Sequence, residues 1–334
     1  MKNSRNKLLA DIRWARQRQN ALLVRLGADG TNRLIRAYQS VLPAARLLAE
    51  VVTQLPGDIS QATLAPYLTQ LQNEIRGLQA IVTDQAAVGG AEGFAAGVRG
   101  GIQTLQRFGA AASFGDPSIA YIVSAIHYVD SPAFQARVGQ LAEYHVGRIA
   151  DIILSAVANG RNPNETASLI TQYFVTSQSP LQDAIRLART TQLYSMREGT
   201  RQVYAANGIT EWLWSAAIGD IRTCIACIFM DGTIHPVSEL LNDHHNGRCA
   251  PIPITPTWAS LGYTSGEDLF FQTGEEWFLL QDTQTQEQLL GNQLYQAWDS
   301  GRINLSVDTV VGNYQNDIFG VMRRRRTNAE ILEE

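Results

Sequence analysis

Cys224, Cys227 and Cys249 are the only cysteines in 334 residues. They fall within 26 consecutive positions that also hold His235, His244 and His245, three of the five histidines. Cys224-x-x-Cys227 lets two thiolates reach one metal ion from a single tight turn. Sixteen residues separate Cys227 from His244, and four separate His244 from Cys249. Cys224, Cys227, His244 and Cys249 therefore offer a Cys3His tetrahedron, and soft thiolates with one imidazole in a closed four-coordinate site suit zinc. His245 is an alternative fourth ligand and His235 a weaker one. The plainer reading is three buried or reactive thiols beside histidines on a polar loop. Confinement of all cysteine to this one segment weakens it. Three thiols cannot all pair within one chain, and a redox C-x-x-C would call for a βαβ setting that the flanking sequence lacks.

A catalytic zinc keeps one coordination position open for water and has a carboxylate base nearby, whereas this set fills four positions. No H-E-x-x-H occurs, and His235-Pro236-Val237-Ser238-Glu239 does not match the deaminase order of H-x-E before P-C-x-x-C. G-x-S-x-G is likewise missing, and the Glu275-Glu276 pair has no recognisable carboxylate partner. The expectation is a structural zinc in a protein that is not an enzyme.

The elements that must hold this cluster read as helices followed by a small β part. Leu8, Leu9, Ile12, Ala15 and Gln19 trace one 3.6-residue stripe, and Leu34, Ile35, Tyr38, Val41, Leu42 and Ala45 another, with Pro43 as a break. A third helix is expected from Gln61 to Val82, capped by Ser60. In VGGAEGFAAGVRGG, Gly89, Gly93 and Gly97 recur every fourth residue and mark either a hinge or a close helix contact. Ser131-Pro132 and Asn162-Pro163 are helix starts, and the helix that begins at Pro180 stops at Asn207-Gly208. Glu211 to Ala216 reads as a strand, and Ile228 to Ile234 as a hairpin turning at Asp231-Gly232. Pro251, Pro253 and Pro256 close that module, and helix resumes near Gly274 to Gly291 and Asn292 to Gly301. The expected fold is mainly α, a multi-helix body with a small β-containing zinc-knuckle module and a helical C-terminal tail. Four stretches follow: 1–130, 131–208, 209–258 and 259–334.

Composition is ordinary for a globular chain, with 45% hydrophobic and 8% aromatic residues. No segment is apolar for the roughly 18 residues a membrane helix needs, and Asp11, Arg13 and Arg16 interrupt the place of a signal-peptide core. The chain is expected to stay in the compartment where it is made. The formal charge of -4 hides a division: residues 1–46 carry ten basic side chains against Asp11 and Asp29, and residues 261–322 carry nine acids against Arg302. Arg323 to Arg326 then form an uninterrupted basic run. Such blocks are either solvated faces or contacts for oppositely charged partners, and the same choice applies to Arg186, Arg189, Arg197 and Arg201.

Taken together, Asp220-x-Arg222-Thr223-Cys224-x-x-Cys227, then Asp231-Gly232, then His244-x-x-x-Arg248-Cys249 before a proline resemble the core of the phage Mu F-like, head-morphogenesis minor capsid proteins. That family's pattern is D-x-R-T-C-x-x-C, an intervening D-G, and H-P-x-C-R-C before an apolar strand with proline. The likeness extends to the strand with Trp212 and Trp214 and to the helix carrying Arg189, Thr190, Thr191 and Arg197. It continues downstream through Gly274-Glu275-Glu276-Trp277, Leu289 to Gly291, Tyr295, Gly301 and Leu305, so it covers roughly residues 180 to 310. Two positions depart: Gly247 stands where the family has a cysteine, and His245 where it has proline. The resemblance implies a minor component of the virion head, assembled in the host bacterial cytoplasm against the portal protein or the major capsid protein, with effects on DNA packaging or ejection. The basic first segment would touch packaged double-stranded DNA or an acidic portal surface. Two other classes remain open on the residues alone: a zinc-dependent hydrolase or nuclease, and a DNA-binding zinc protein. The second needs a basic recognition helix, to which Glu239 and Asp243 are poorly suited.

Overall fold

The computed structural model describes residues 2–38, 61–114, 127–159, 161–175, 180–219, 221–260 and 272–333, with isolated positions between 43 and 54. The helices are α1 (Lys2–Tyr38), α2 (Gln61–Arg107), α3 (Pro132–Ala158), α4 (Pro163–Val175) and α5 (Pro180–Ala206), then β1 (Glu211–Ser215), α6 (Ile225–Met230), β2 (Ile234–Pro236), β3 (Ala250–Pro253) and α7 (Pro256–Ser260). The last part holds α8 (Gly274–Leu279), α9 (Thr283–Leu290), α10 (Asn292–Asp299), α11 (Val307–Val310), β4 (Val311–Asn316), β5 (Gly320–Arg325) and α12 (Asn328–Leu332). The protein is thus mainly helical with a small antiparallel β part. No helix among the described residues is long and apolar enough to cross a membrane.

The chain divides into two compact units, both discontinuous in sequence. One comprises Met1–Leu26, Ala91–Ser124 and Leu193–Glu334, and the other Gly27–Gly90 and Ala125–Gln192. In the second unit, α3 and α4 begin where the Ser-Pro and Asn-Pro pairs predict. The Ser131 hydroxyl accepts the Phe134 N–H at 3.2 Å, and the Asn162 side-chain oxygen Oδ1 accepts the Glu165 N–H at 2.9 Å. Its interior buries His145, which hydrogen-bonds the Tyr173 hydroxyl through Nδ1 and places Nε2 3.7 Å from Asp183.

The first unit holds the cysteine segment. The glycine-rich stretch is uninterrupted helix, not a hinge, and α2 runs on through it from Gln61 to Arg107. Its glycines admit α5 to near backbone contact: a Cβ at Gly97 would collide with the Met196 carbonyl, and one at Gly199 with the Phe94 carbonyl. Thr200 seals the crossing by donating its hydroxyl to the Gly97 carbonyl at 3.2 Å. The two expected N-terminal stripes form one helix through Tyr38, and Val41, Leu42, Ala45 and the Ser60 cap lie outside the described residues.

From this packed pair the chain turns at Gly208, where φ is +74°, into β1, the centre of a sheet ordered β2-β1-β3. Trp212 faces Pro253 and Trp214 faces Pro251 in the β1–β3 register. Proline lacks the N–H that a central strand would need, so β3 sits at an edge. The expected hairpin from Ile228 to Ile234 is not formed. Ile225–Met230 is a short helix with every residue buried, and β2 pairs with β1 instead. Asp231-Gly232 does make the turn between them, with Gly232 at φ +98°. Asp231 is buried there and held by both Arg16 bonds at 2.7 Å and by the Ala216 N–H at 2.8 Å.

The tail is helical as far as Val310, then forms the antiparallel pair β4–β5, which the expectation of a helical tail missed, and closes with α12. Arg323, Arg324 and Arg325 of the basic run lie on β5 and are used within the unit. Arg323 bonds Glu239 at 3.2 Å, Arg324 bonds Glu330, and Arg325 donates to the Leu290 carbonyl and to Asn328. One core joins α2, α5, β1, α6 and the tail through Phe94, Tyr204, Trp212, Trp214, Ile228, Phe278 and Leu294.

Candidate metal centre

The cysteine knuckle is built at the start of α6. Cys224 is the N-cap of α6, and its sulfur accepts the Cys227 N–H at 3.4 Å, so the first sulfur satisfies a helix donor that would otherwise be orphaned. Thr223 supports the entry by donating to the Ala217 carbonyl. Burial of Ile225, Ile228 and Phe229 pins α6 into the core and fixes Cys227 on its inner side.

The other donors come from the loop between β2 and β3. His244 brings Nε2 to 3.3 Å from Cys224 Sγ and 3.1 Å from Cys227 Sγ, and the two sulfurs are 3.2 Å apart. Zinc bound at ordinary tetrahedral lengths sets sulfur pairs about 3.8 Å apart and sulfur–nitrogen pairs about 3.5 Å apart, so the triad needs only a slight expansion. His244 Nδ1 lies 2.9 Å from the His245 carbonyl, a contact that fits Nδ1 as the donor, so that Nε2 becomes the lone-pair nitrogen toward the thiols once the ring gives up its second proton. Cys249, fully buried, completes the set from the side of Cys227. Cys227, Asp243 and Cys249 place donor atoms within 4.8 Å of one another, as do Cys224, Cys227 and His244. Cys224, Cys227, His244 and Cys249 thus form a cluster that can hold a metal ion.

The two other histidines are elsewhere. His245 places Nε2 3.5 Å from Asn316 and its ring edge against Phe319. His235 stacks on Trp212 at 4.5 Å and bonds Thr233 and Glu239.

Asp243 is the residue the sequence reading passed over. Its side chain is 1% exposed, with Oδ1 3.5 Å from Cys227 Sγ and accepting the His244 N–H at 2.8 Å. Oδ2 accepts the Cys249 N–H at 3.2 Å and an Arg197 Nη2 donor at 3.1 Å. Arg197, equally buried, also donates to the Cys249 carbonyl at 3.0 Å and the Gly247 carbonyl at 2.7 Å. Tyr194 fixes the same loop by donating to the Asp243 carbonyl at 2.6 Å. A side chain at Gly247 would collide with the Asp243 carboxylate, so there is no room for a further thiol at this position. The only sequence signal for Asp243 was its place beside His244.

The metal-free electrostatics follow from this crowding. The hydrogen bond with Cys227, reinforced by His244 and opposed by burial, pulls the Cys224 thiol down to about 5. The Asp243 carboxylate, opposed by burial, raises His244 to about 10. Burial pushes Cys249 up to about 11, and the bond with Cys224, then that with Cys249, raises Cys227 well above its ordinary value. Asp243 stays below the carboxylate range because His244, Arg197 and the Cys249 N–H outweigh the cost of its burial. A metal ion must therefore displace protons from Cys227, Cys249 and His244 at neutral pH, and its apparent affinity rises as pH rises. Chelator competition from about pH 6 to about pH 8 checks this, and a flat profile contradicts proton-coupled binding at these groups.

The cavity beside the cluster, bordered by Arg222, Thr223, His244 and Arg248, holds about 70 Å³. Pockets that take up small-molecule substrates run from about 300 to about 1,000 Å³. Compared with known proteins, the chain matches no family model, no curated protein and no solved structure.

Proposed function

We propose that this chain is a minor head protein of a tailed bacteriophage, a non-enzymatic assembly component of the virion head in which a structural zinc rigidifies a docking module. The observation that carries the proposal is the ordered series Asp-x-Arg-Thr-Cys-x-x-Cys, Asp-Gly, His-x-x-x-Arg-Cys, whose Cys and His members converge into one cluster able to hold a metal ion. Donor chemistry favours zinc: three sulfurs and one imidazole make a closed set, and the His244 ring is held by a backbone carbonyl on its far side. The zinc would lock α6 to the loop before β3. A catalytic role is disfavoured by the four protein donors and by a cavity of about 70 Å³, too small for a substrate beside the metal. The partners proposed are the portal protein or the major capsid protein. Packaged DNA is a further one, met by the exposed Arg13, Arg18 and Arg25 of α1.

Elemental analysis of the purified full chain, followed by pull-down against the portal and major capsid proteins, tests the two halves separately. About one zinc per chain and retention of one of the two partners are the expected results. Zinc with no retention of either partner removes the head-assembly half, and retention by a metal-free chain removes the zinc half. Cys224→Ser is expected to release the metal and weaken retention together.

A further inference from the structure

We propose that Arg197 is a positioning residue for the metal centre, setting its affinity without touching the metal. The inference rests on the reading of the Cys/His cluster as a metal site. Arg197 projects from α5, is 1% exposed, and spends its guanidinium on the cluster loop: Nε on the Cys249 carbonyl, Nη2 on the Gly247 carbonyl and on Asp243 Oδ2. Asp243 in turn holds the backbone N–H groups of His244 and Cys249, the two ligands the loop supplies, at 2.8 and 3.2 Å. One side chain thus reaches both loop ligands, directly at Cys249 and through one carboxylate at His244. Tyr194, one turn earlier on α5, adds its bond to the Asp243 carbonyl and lies under the Arg197 guanidinium at 5.5 Å.

Charge points the same way. Three thiolates and the Asp243 carboxylate bring four negative charges to a buried site, and a divalent ion answers two of them. Arg197 is the buried cation that meets the carboxylate, and removing it leaves that charge uncompensated in a region of low dielectric. The guanidinium's fork lets one cation serve a carboxylate and two carbonyls at once, which a lysine ammonium on a flexible stem cannot do in the same geometry.

The test measures zinc affinity of the full chain by competition with a chromophoric chelator and records the absorption bands of the cobalt-loaded protein, with thermal melting followed separately. Loss of outer partners of a metal site lowers affinity about 10- to 100-fold, and that range is expected for Arg197→Met with altered cobalt bands. Arg197→Lys keeps the charge, guards against a variant that fails to fold, and is expected to lose about threefold to tenfold. A lower melting temperature with zinc affinity within about twofold of the parent, in either variant that folds, overturns the inference and leaves Arg197 an ordinary buried anchor. A parent protein that takes up neither zinc nor cobalt overturns the metal reading and this inference together. Zinc binding by the parent with equal binding by Arg197→Lys overturns this inference alone.

Discussion

A Cys227→Ser chain is expected to lose its metal and about 3 kcal/mol or more of stability, the largest effect of any single ligand change. Cys227 belongs to both donor triads, one with Cys224 and His244 and one with Asp243 and Cys249. Its sulfur is buried at the inner side of α6, so removing it leaves the remaining donors facing each other without a common ion. For a unit of this size the loss corresponds to a fall in melting temperature on the order of 10 °C. If the cluster never held a metal, the same change would only place a hydroxyl in a thiol's site, at about 1 kcal/mol. Melting curves of parent and variant, each with and without prior chelation, separate the cases. The metal reading predicts that chelation lowers the parent toward the variant and leaves the variant unmoved. A parent indifferent to chelation would sink it. His245→Ala serves as the internal control, since its ring lies against Phe319 and Asn316 and its metal content should equal that of the parent.

The second large effect is expected away from the cluster, at Gly97→Val. The α2–α5 crossing brings Gly97 against the Met196 carbonyl and the Thr200 N–H, atoms of backbone that cannot rotate away. Any Cβ there must push the two helices apart and break the Thr200 bond to the Gly97 carbonyl. Valine is expected to cost about 3 kcal/mol or more despite its better helix propensity, because overpacking against main chain outweighs a propensity gain below about 1 kcal/mol. Gly77, on the same helix, has nothing within 4 Å of the space a Cβ would take. Gly77→Ala should therefore stabilise by about 0.5 to 1 kcal/mol. Denaturant unfolding of both variants gives opposite signs if close approach is the reason for Gly97. Equal signs would mean that the crossing tolerates a side chain.

The helix starts were legible because capping chemistry is local. Ser131-Pro132 and Asn162-Pro163 place an acceptor beside a residue that needs no N–H, and no distant contact is required to make that a start. The strand from Glu211 was legible for the same kind of reason, since aromatic residues follow immediately on the Asn207-Gly208 helix stop. The misread hairpin shows the limit. Ile228-Phe229-Met230 fits a strand or a buried helix equally, and the choice goes with burial of all of Ile225–Met230 in a core built from distant segments. The β4–β5 pair was missed because each strand alone is a short mixed run, and their pairing depends on the Gly320 turn at φ +73°.

By itself the sequence determined the candidate donors, since the cysteines occur in one segment and only a few side chains can bind a soft metal. It also determined the predominance of helix, through stripes and caps that act over a few residues. Tertiary structure decided everything that depends on two distant segments meeting. It turned His244 toward the thiols and His245 toward Phe319, although their positions in the chain differ by one residue. It converted the Arg323 to Arg326 run from a free charge block into partners for Glu239, Glu330 and Asn328. It also buried Arg197 against Asp243, across a separation of 46 residues. Ligand identity follows from side-chain chemistry, which the sequence states outright. Orientation and burial follow from packing, which only the folded chain defines.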